Sequence, residues 1–354
     1  MQNSLPYLCN KNLLQLKRLE VRVKKDISNL TIEEKIHQMF ILGYSGENPL
    51  ACQNFVRALK NGLGGVIFFT HNIIEKERFK DIVEIIKDNA LIKPFLSIDQ
   101  EGGRVERTLN LYGGSHYLSA KESAARGIDF VVQQTDWISN ELNYFGLNMN
   151  FAPVLDVNTN PQNPIIAERA YSNNPNEVIK YAKATIETYR KNKIIPVGKH
   201  FPGHGDTSCD SHIELPTVNL SKEELLDIHI EPFIELASLL PAIMVAHVHY
   251  PAFDKEKIPA SISKNIISFL RNDIGFRGVI VSDDMVMGGI RKYSSFEACK
   301  RAINAGVNMF IYRLADDSTV ELISRLVEAV KSGEIPERRI DESLGYINIL
   351  KKCC

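Results

Sequence analysis

The sequence predicts an α/β protein folded as one (β/α)8 TIM barrel, and three observations carry that expectation. Short apolar runs rich in Val, Ile and Phe recur eight times; stretches with helical periodicity separate them; and polar clusters stand directly after nearly every run. The first two define repeated βα units, which an open doubly wound sheet would satisfy equally well. The third favours the barrel, because that architecture gathers its working residues at the carboxyl ends of several strands on one face.

Taken in order, strands are expected at Met39–Gly43, Gly65–Phe69, Pro94–Ile98, Asn148–Ala152, Ile195–Gly198, Ala242–Ala246, Gly278–Val281 and Val307–Ile311. Their spacing, a little over ~35 residues, suits strand, loop, helix and return loop. Apolar residues at i, i+3 and i+4 place helices at Glu75–Asn89, Ser119–Phe145, Asn176–Lys191, Ser221–Leu239, Ser263–Ile274, Ser295–Ala305 and Ser318–Ser332. Ser221-Lys-Glu-Glu224 has the capping-box spacing, in which Ser and Glu satisfy the orphan amides of a helix start. No second strand-rich domain follows. The expected layout is a basic extension over 1–25, a catalytic barrel over 26–350 and a short tail over 351–354.

Composition narrows the function classes. A chain of 354 residues, 44% apolar and 24% charged, has the makeup of a globular protein able to bury a large core. A net charge of -1, from 42 basic against 43 acidic residues, gives no bias towards nucleic acid or anionic lipid. Lys11, Lys17, Arg18, Arg22, Lys24 and Lys25 form a basic N-terminal stretch that reads as a solvated helix face. The first twenty residues interrupt every apolar run before the ~7 residues a signal sequence needs, and no run approaches the ~18 of a membrane span. A cytoplasmic protein is the expectation. The six cysteines, Cys353 and Cys354 included, lack metal-ligand spacing, so reduced thiols are expected.

Three polar runs carry candidate chemistry. Ile98-Asp-Gln-Glu-Gly-Gly-Arg-Val-Glu-Arg107 follows the third strand, where Asp99 can accept hydrogen bonds from vicinal sugar hydroxyls and Arg107 can donate to them. An Asp99–Arg107 ion pair that merely shapes the loop fits the run equally well. After the fifth strand comes Gly198-Lys-His-Phe-Pro-Gly-His-Gly-Asp-Thr-Ser-Cys-Asp-Ser-His212. Lys199 and His200 are placed to donate to hydroxyls. Asp210 and His212 project to one side of an extended backbone, so the carboxylate can orient an imidazole whose ordinary pKa of ~6.5 suits acid/base work. A metal site or a packed loop histidine remains open for that pair. Val281-Ser-Asp-Asp-Met285 ends the seventh strand in two carboxylates, either of which can attack an anomeric carbon or simply bond loop amides. His247 and His249 make a His-x-His pair like that of barrel metal hydrolases, but after the sixth strand rather than the first.

As a set, these motifs resemble the single-domain β-N-acetylglucosaminidases of glycoside hydrolase family 3. The resemblance runs from Leu30-Thr-Ile-Glu-Glu-Lys-Ile36 to Arg339-Ile-Asp-Glu-Ser343 and is carried most specifically by Lys199-His-Phe-Pro-Gly-His-Gly205 with Asp210-Ser-His212. Asp99-Gln-Glu-Gly-Gly-Arg104, Ala246-His-Val248, Pro259-Ala-Ser261 and Ser282-Asp-Asp284 support it. It implies Asp283 as nucleophile, His212 as general acid/base and Asp210 as its partner, with Asp99, Arg107, Lys199 and His200 holding the sugar. A family arginine usually set in Gly-x-Arg-Ser corresponds to Arg169, here in Ala167-Glu-Arg-Ala170. The implied reaction is removal of terminal N-acetylglucosamine from peptidoglycan-derived muropeptides, without metal or other cofactor. Relatives with the same His dyad have been proposed to use phosphate in place of water, which makes a phosphorylase the alternative. A metal-dependent barrel hydrolase and a non-catalytic muropeptide sensor are the remaining classes.

Overall fold

A computed structural model of the chain describes residues 29–208, 211 and 214–352. The basic extension expected over 1–25, and Cys353 and Cys354, lie outside the described residues. Eight strands, β1 (Phe40–Leu42), β2 (Gly65–Phe68), β3 (Phe95–Ile98), β4 (Met149–Asn150), β5 (Ile195–Phe201), β6 (Ala242–Val245), β7 (Val279–Asp284) and β8 (Met309–Tyr312), form one closed barrel in sequence order. Every pairing is parallel, and β1 closes on β8 through Phe40, Ile41 and Leu42 opposite Phe310, Ile311 and Tyr312. All eight expected strands are therefore present, in one barrel domain.

The strands are buried almost end to end, as sheet covered on both faces requires. Phe40, Val66, Phe95, Met149, Val197, Ile243 and Val281 are all at most 1% exposed, and they merge with the inner faces of the surrounding helices into one apolar core.

Where helices differ from expectation, a local cause is visible. The stretch 119–145 divides into Ala120–Ala125 and Ile128–Phe145, because Gly127 between them takes φ +94, a left-handed conformation in which only glycine is unstrained. The Ser221–Glu224 capping box forms as expected, yet the helix it starts widens into a π-helical stretch, Leu225–Ile230, before Glu231–Leu236. Pro232 accounts for the widening: it lacks an N–H for the preceding turn, and its ring crowds the carbonyl four residues back. Among the described residues, three α-helices go beyond those expected. They are Ile32–Gln38, Gln53–Lys60 and Glu337–Lys351.

β5 and β7 also run further than expected. β5 continues past Gly198 through Lys199 and His200 to Phe201, held by Val154 and Leu155 beyond the end of β4, and β7 continues to Asp284. Both extensions carry polar side chains to the carboxyl end of the barrel.

Candidate active site

At that carboxyl end lies a cavity of about 280 Å³, lined by residues from seven of the eight strands or their following loops, among them Asp99, Glu101, Arg107, Arg169, Lys199, His200 and Asp283. A larger cavity, about 390 Å³, lies between helices Gln53–Lys60 and Asp317–Lys331, but it gathers no comparable set of convergent charges. Chemistry rather than size selects the first.

Its floor is a chain of charge-assisted bonds. Lys199 Nζ donates to Asp99 Oδ1 at 2.9 Å and lies 2.5 Å from Glu101 Oε1. Arg169 grips both oxygens of Glu101 at 2.9 Å, and Arg107 donates to Asp99 Oδ2 at 3.2 Å. Lys199 is 2% exposed and the Glu101 side chain 5%, so each charge depends on its partners to offset the loss of water. Burial alone would raise the Glu101 pKa, but Arg169 and Lys199 overcome it and hold the group at about 2. For Asp99 burial is likewise outweighed by Lys199 and Arg107, which keep it well below the usual carboxylate range.

Arg107 is only partly used by its ion pair. Its guanidinium lies over the Phe69 ring, and its buried Nε has no hydrogen-bond partner among the described residues. Arg169 is more fully committed: besides Glu101, it donates to the Ile165 carbonyl and approaches His200 Nε2 at 3.4 Å. Its place in the site is to hold Glu101 and the edge of His200.

His200 is fixed from behind. Its Nδ1 donates to Asp156 Oδ2 at 2.7 Å, and Asp156 Oδ1 also accepts the backbone N–H groups of His200 and His204. This leaves Nε2 directed towards Arg169 and the cavity. Burial works against the Asp156 charge, yet His200 and His204 hold it at about 2. The next turn depends on Gly205, where a Cβ would stand 1.7 Å from the Val157 carbonyl oxygen. His204 is buried, and its protonation can be deduced. Thr207 Oγ1 gives its hydrogen to the His204 carbonyl, so it accepts from Nδ1–H, and Nε2 accepts from Ser211 Oγ. Burial, aided by His200, pushes its pKa down to about 4.

The two carboxylates at the end of β7 have separate environments. Asp283 keeps partial exposure to the cavity; Oδ1 accepts the Asp284 N–H at 2.8 Å, while Oδ2 carries no hydrogen bond from any described residue. Burial favours its neutral form, but His200, His247, the Asp284 amide and Lys199 together bring its pKa below the ordinary value. Asp284 is instead bonded to Arg313 Nε at 2.5 Å and to the Val286 amide, and burial raises its pKa despite Arg313. One carboxylate is ionised and keeps an oxygen that no described residue bonds, on the cavity side. Its neighbour is occupied.

His247 is buried with both ring nitrogens engaged. The Asp284 carbonyl can only accept, so Nε2 carries the proton; Nδ1 then accepts from Ser261 Oγ at 2.7 Å, and burial keeps the ring neutral by lowering its pKa. His249 Nδ1 contacts the Ile258 carbonyl. Among the described residues, no cluster of three His, Cys, Asp or Glu side chains could hold a metal ion.

The structure thus gathers six of the eight sequence-predicted site residues: Asp99, Arg107, Arg169, Lys199, His200 and Asp283. Asp210 and His212 lie outside the described residues. Sequence reasoning did not single out Glu101, Asp156, His204, Ser261 or Arg313. Glu101 and Asp156 were detectable in principle, as carboxylates just beyond barrel strands. Their partners are 44 to 98 positions away in the chain, and no local pattern announces them.

The sequence matches the glycosyl hydrolase family 3 N-terminal domain over residues 31–350. The chain belongs to that family. It is 34% identical over 254 residues to a beta-hexosaminidase of Tolumonas auensis, covering 70% of this chain and 75% of the relative. It is 31% identical over 318 residues to beta-hexosaminidase A of Pseudoalteromonas piscicida, covering 82% of this chain but only 53% of that longer protein. Among solved structures, the fold is similar to a glycoside hydrolase family 3 beta-N-acetylglucosaminidase from Paenibacillus sp. str. FPU-7, with TM-score 0.87 and 33% identity, over 92% of this chain and 63% of that one.

Proposed function

We propose that this chain is a retaining, exo-acting β-N-acetylglucosaminidase in which Asp283 attacks the anomeric carbon to form a covalent glycosyl-aspartate. The observation that carries this reading is the contrast at the end of β7, where Asp283 is ionised with Oδ2 unbonded among the described residues and Asp284 is tied to Arg313. A nucleophile needs its lone pair free and its charge present at working pH, and of the two carboxylates that end β7 Asp283 is the one that meets both requirements. Asp99, Lys199 and Arg107 supply charged acceptors and donors suited to sugar hydroxyls, His200 adds a ring nitrogen, and Arg169 holds Glu101 beside them. His212 is assigned as the acid that protonates the leaving oxygen and as the base that then activates water, with Asp210 supporting its charge. The names of the relatives and their sequence match support the N-acetylglucosamine preference.

The finer reading is that the substrate is a terminal N-acetylglucosamine on a peptidoglycan-derived muropeptide, handled in the cytoplasm without a metal. Among the described residues, no helix is long and apolar enough to cross a membrane. The test is p-nitrophenol release from the β-N-acetylglucosaminide and the β-glucoside, with chelator and with added phosphate as separate arms. Chelator-resistant cleavage of the acetamido sugar alone is the expected result. Sugar 1-phosphate formed in the phosphate arm would make the enzyme a phosphorylase, and no cleavage of either glycoside would overturn the reading.

A further inference from the structure

Arg313, just beyond the end of β8, has no part in the chemistry proposed above, yet it lines the same cavity. Its side chain is 46% exposed, against 2% for Lys199 and 5% for Glu101, so it stands at the mouth while they form the floor. A guanidinium presents five N–H donors in a fixed fork. Asp284 takes the Nε edge, and no described residue hydrogen-bonds the two terminal nitrogens. The Asp284 contact therefore fixes the fork and leaves the NH1/NH2 edge open to solvent at the cavity mouth.

In an exo-acting pocket the terminal sugar fills the buried end and the leaving group occupies the mouth. A guanidinium pre-oriented there by Asp284 matches a carboxylate carried on the aglycone. We propose that Arg313 is a specificity-determining residue that receives a carboxylate of the leaving group. The inference rests on the function proposed above and adds to it the residue that reads the charge of the group released.

The experiment compares kcat/KM of the full-length protein for one disaccharide in two forms: N-acetylglucosamine β-linked to a muramic-type sugar with its lactyl carboxylate free, and the same compound as its methyl ester. The wild type is expected to prefer the acid by about tenfold, the scale of one charge-assisted contact near a surface. Arg313→Gln should bring the ratio towards one, chiefly through KM of the acid, and Arg313→Lys should restore part of it. Because Asp284 loses its partner in Arg313→Gln, activity on both forms can fall; the ratio isolates the aglycone contact. A wild-type measurement in high salt needs no variant and should reduce the ratio in the same direction. An acid/ester ratio near one in the wild type, or one unchanged by Arg313→Gln, would overturn the inference. So would phosphate-accelerated turnover of the ester that Arg313→Gln abolishes, since the cation would then serve a free anion. Failure to cleave either form would count against the glycosidase reading instead.

Discussion

Glu101 touches no bond that the proposed reaction breaks, but it is the residue on which the floor of the site depends. It is the shared anion of Lys199 and Arg169, both nearly buried. Removing one member of a buried ion network leaves the others charged and unpaired, which costs about 3–5 kcal/mol. Glu101→Gln should therefore lower the stability measured by urea unfolding by that order and raise KM by misplacing Lys199. An unchanged urea midpoint would mean the network is wetter than its burial implies. Asp283 should behave in the opposite way. Asp283→Asn keeps the shape and the Asp284 amide contact, so cooperative unfolding should persist while kcat falls by at least about 10³-fold. If this variant keeps more than a few per cent of wild-type turnover, some other group must attack the sugar.

The working elements are the extended ends of β5 and β7 and the turn after β5. That turn packs Gly205 against the Val157 carbonyl, next to Asp156, which holds His200. Gly205→Ala has nowhere to put its methyl group without moving backbone, so it should destabilise by about 1–3 kcal/mol and also weaken substrate binding through His200. Thermal unfolding and KM measured on one preparation check both effects; a normal KM with reduced stability would separate the turn from the sugar site. At this scale the sequence was most legible where periodicity or capping is local. All eight strands were readable, as were the Ser221–Glu224 cap and the helix Lys76–Asn89. Gln53–Lys60 was not, because it has only eight residues and its N-cap Cys52 makes no side-chain bond to its first turn. The end of β5 was misplaced at Gly198 because polar Lys199 and His200 look like loop residues, whereas their polarity is that of a strand end entering a cavity. The site followed the same rule. Asp99, Lys199, His200 and Asp283 sit in recognisable runs, but Asp156 and Arg313 acquire meaning only when barrel closure brings β4 beside β5 and β8 beside β7.

For the whole molecule, the buried histidines determine how stability responds to mild acid. His204 has a folded pKa of about 4 against an unfolded value of ~6.5, so between these values the unfolded chain binds a proton that the folded chain excludes. Stability must therefore fall as pH drops through this window and level off for this group below about 4. The full effect is at most about 3 kcal/mol, from the ~1.4 kcal/mol that each pKa unit represents. His37, His229 and His247 are shifted down by burial too and add to the slope with the same sign. Glu101 and Asp156, held at about 2, act in a lower window: they stabilise above the unfolded carboxylate values near ~4, and that contribution is lost as pH falls towards about 2. Acid denaturation should thus proceed in two ranges, a histidine range beginning near neutrality and a carboxylate range below it. Urea midpoints measured from pH 8 to pH 4 should decline in the wild type, and His204→Gln should decline less steeply, having no imidazole to protonate when unfolded. Equal slopes in the two proteins would mean that His204 takes up its proton in the folded state, and that the Ser211 and Thr207 hydroxyls which hold the neutral ring rearrange around an imidazolium.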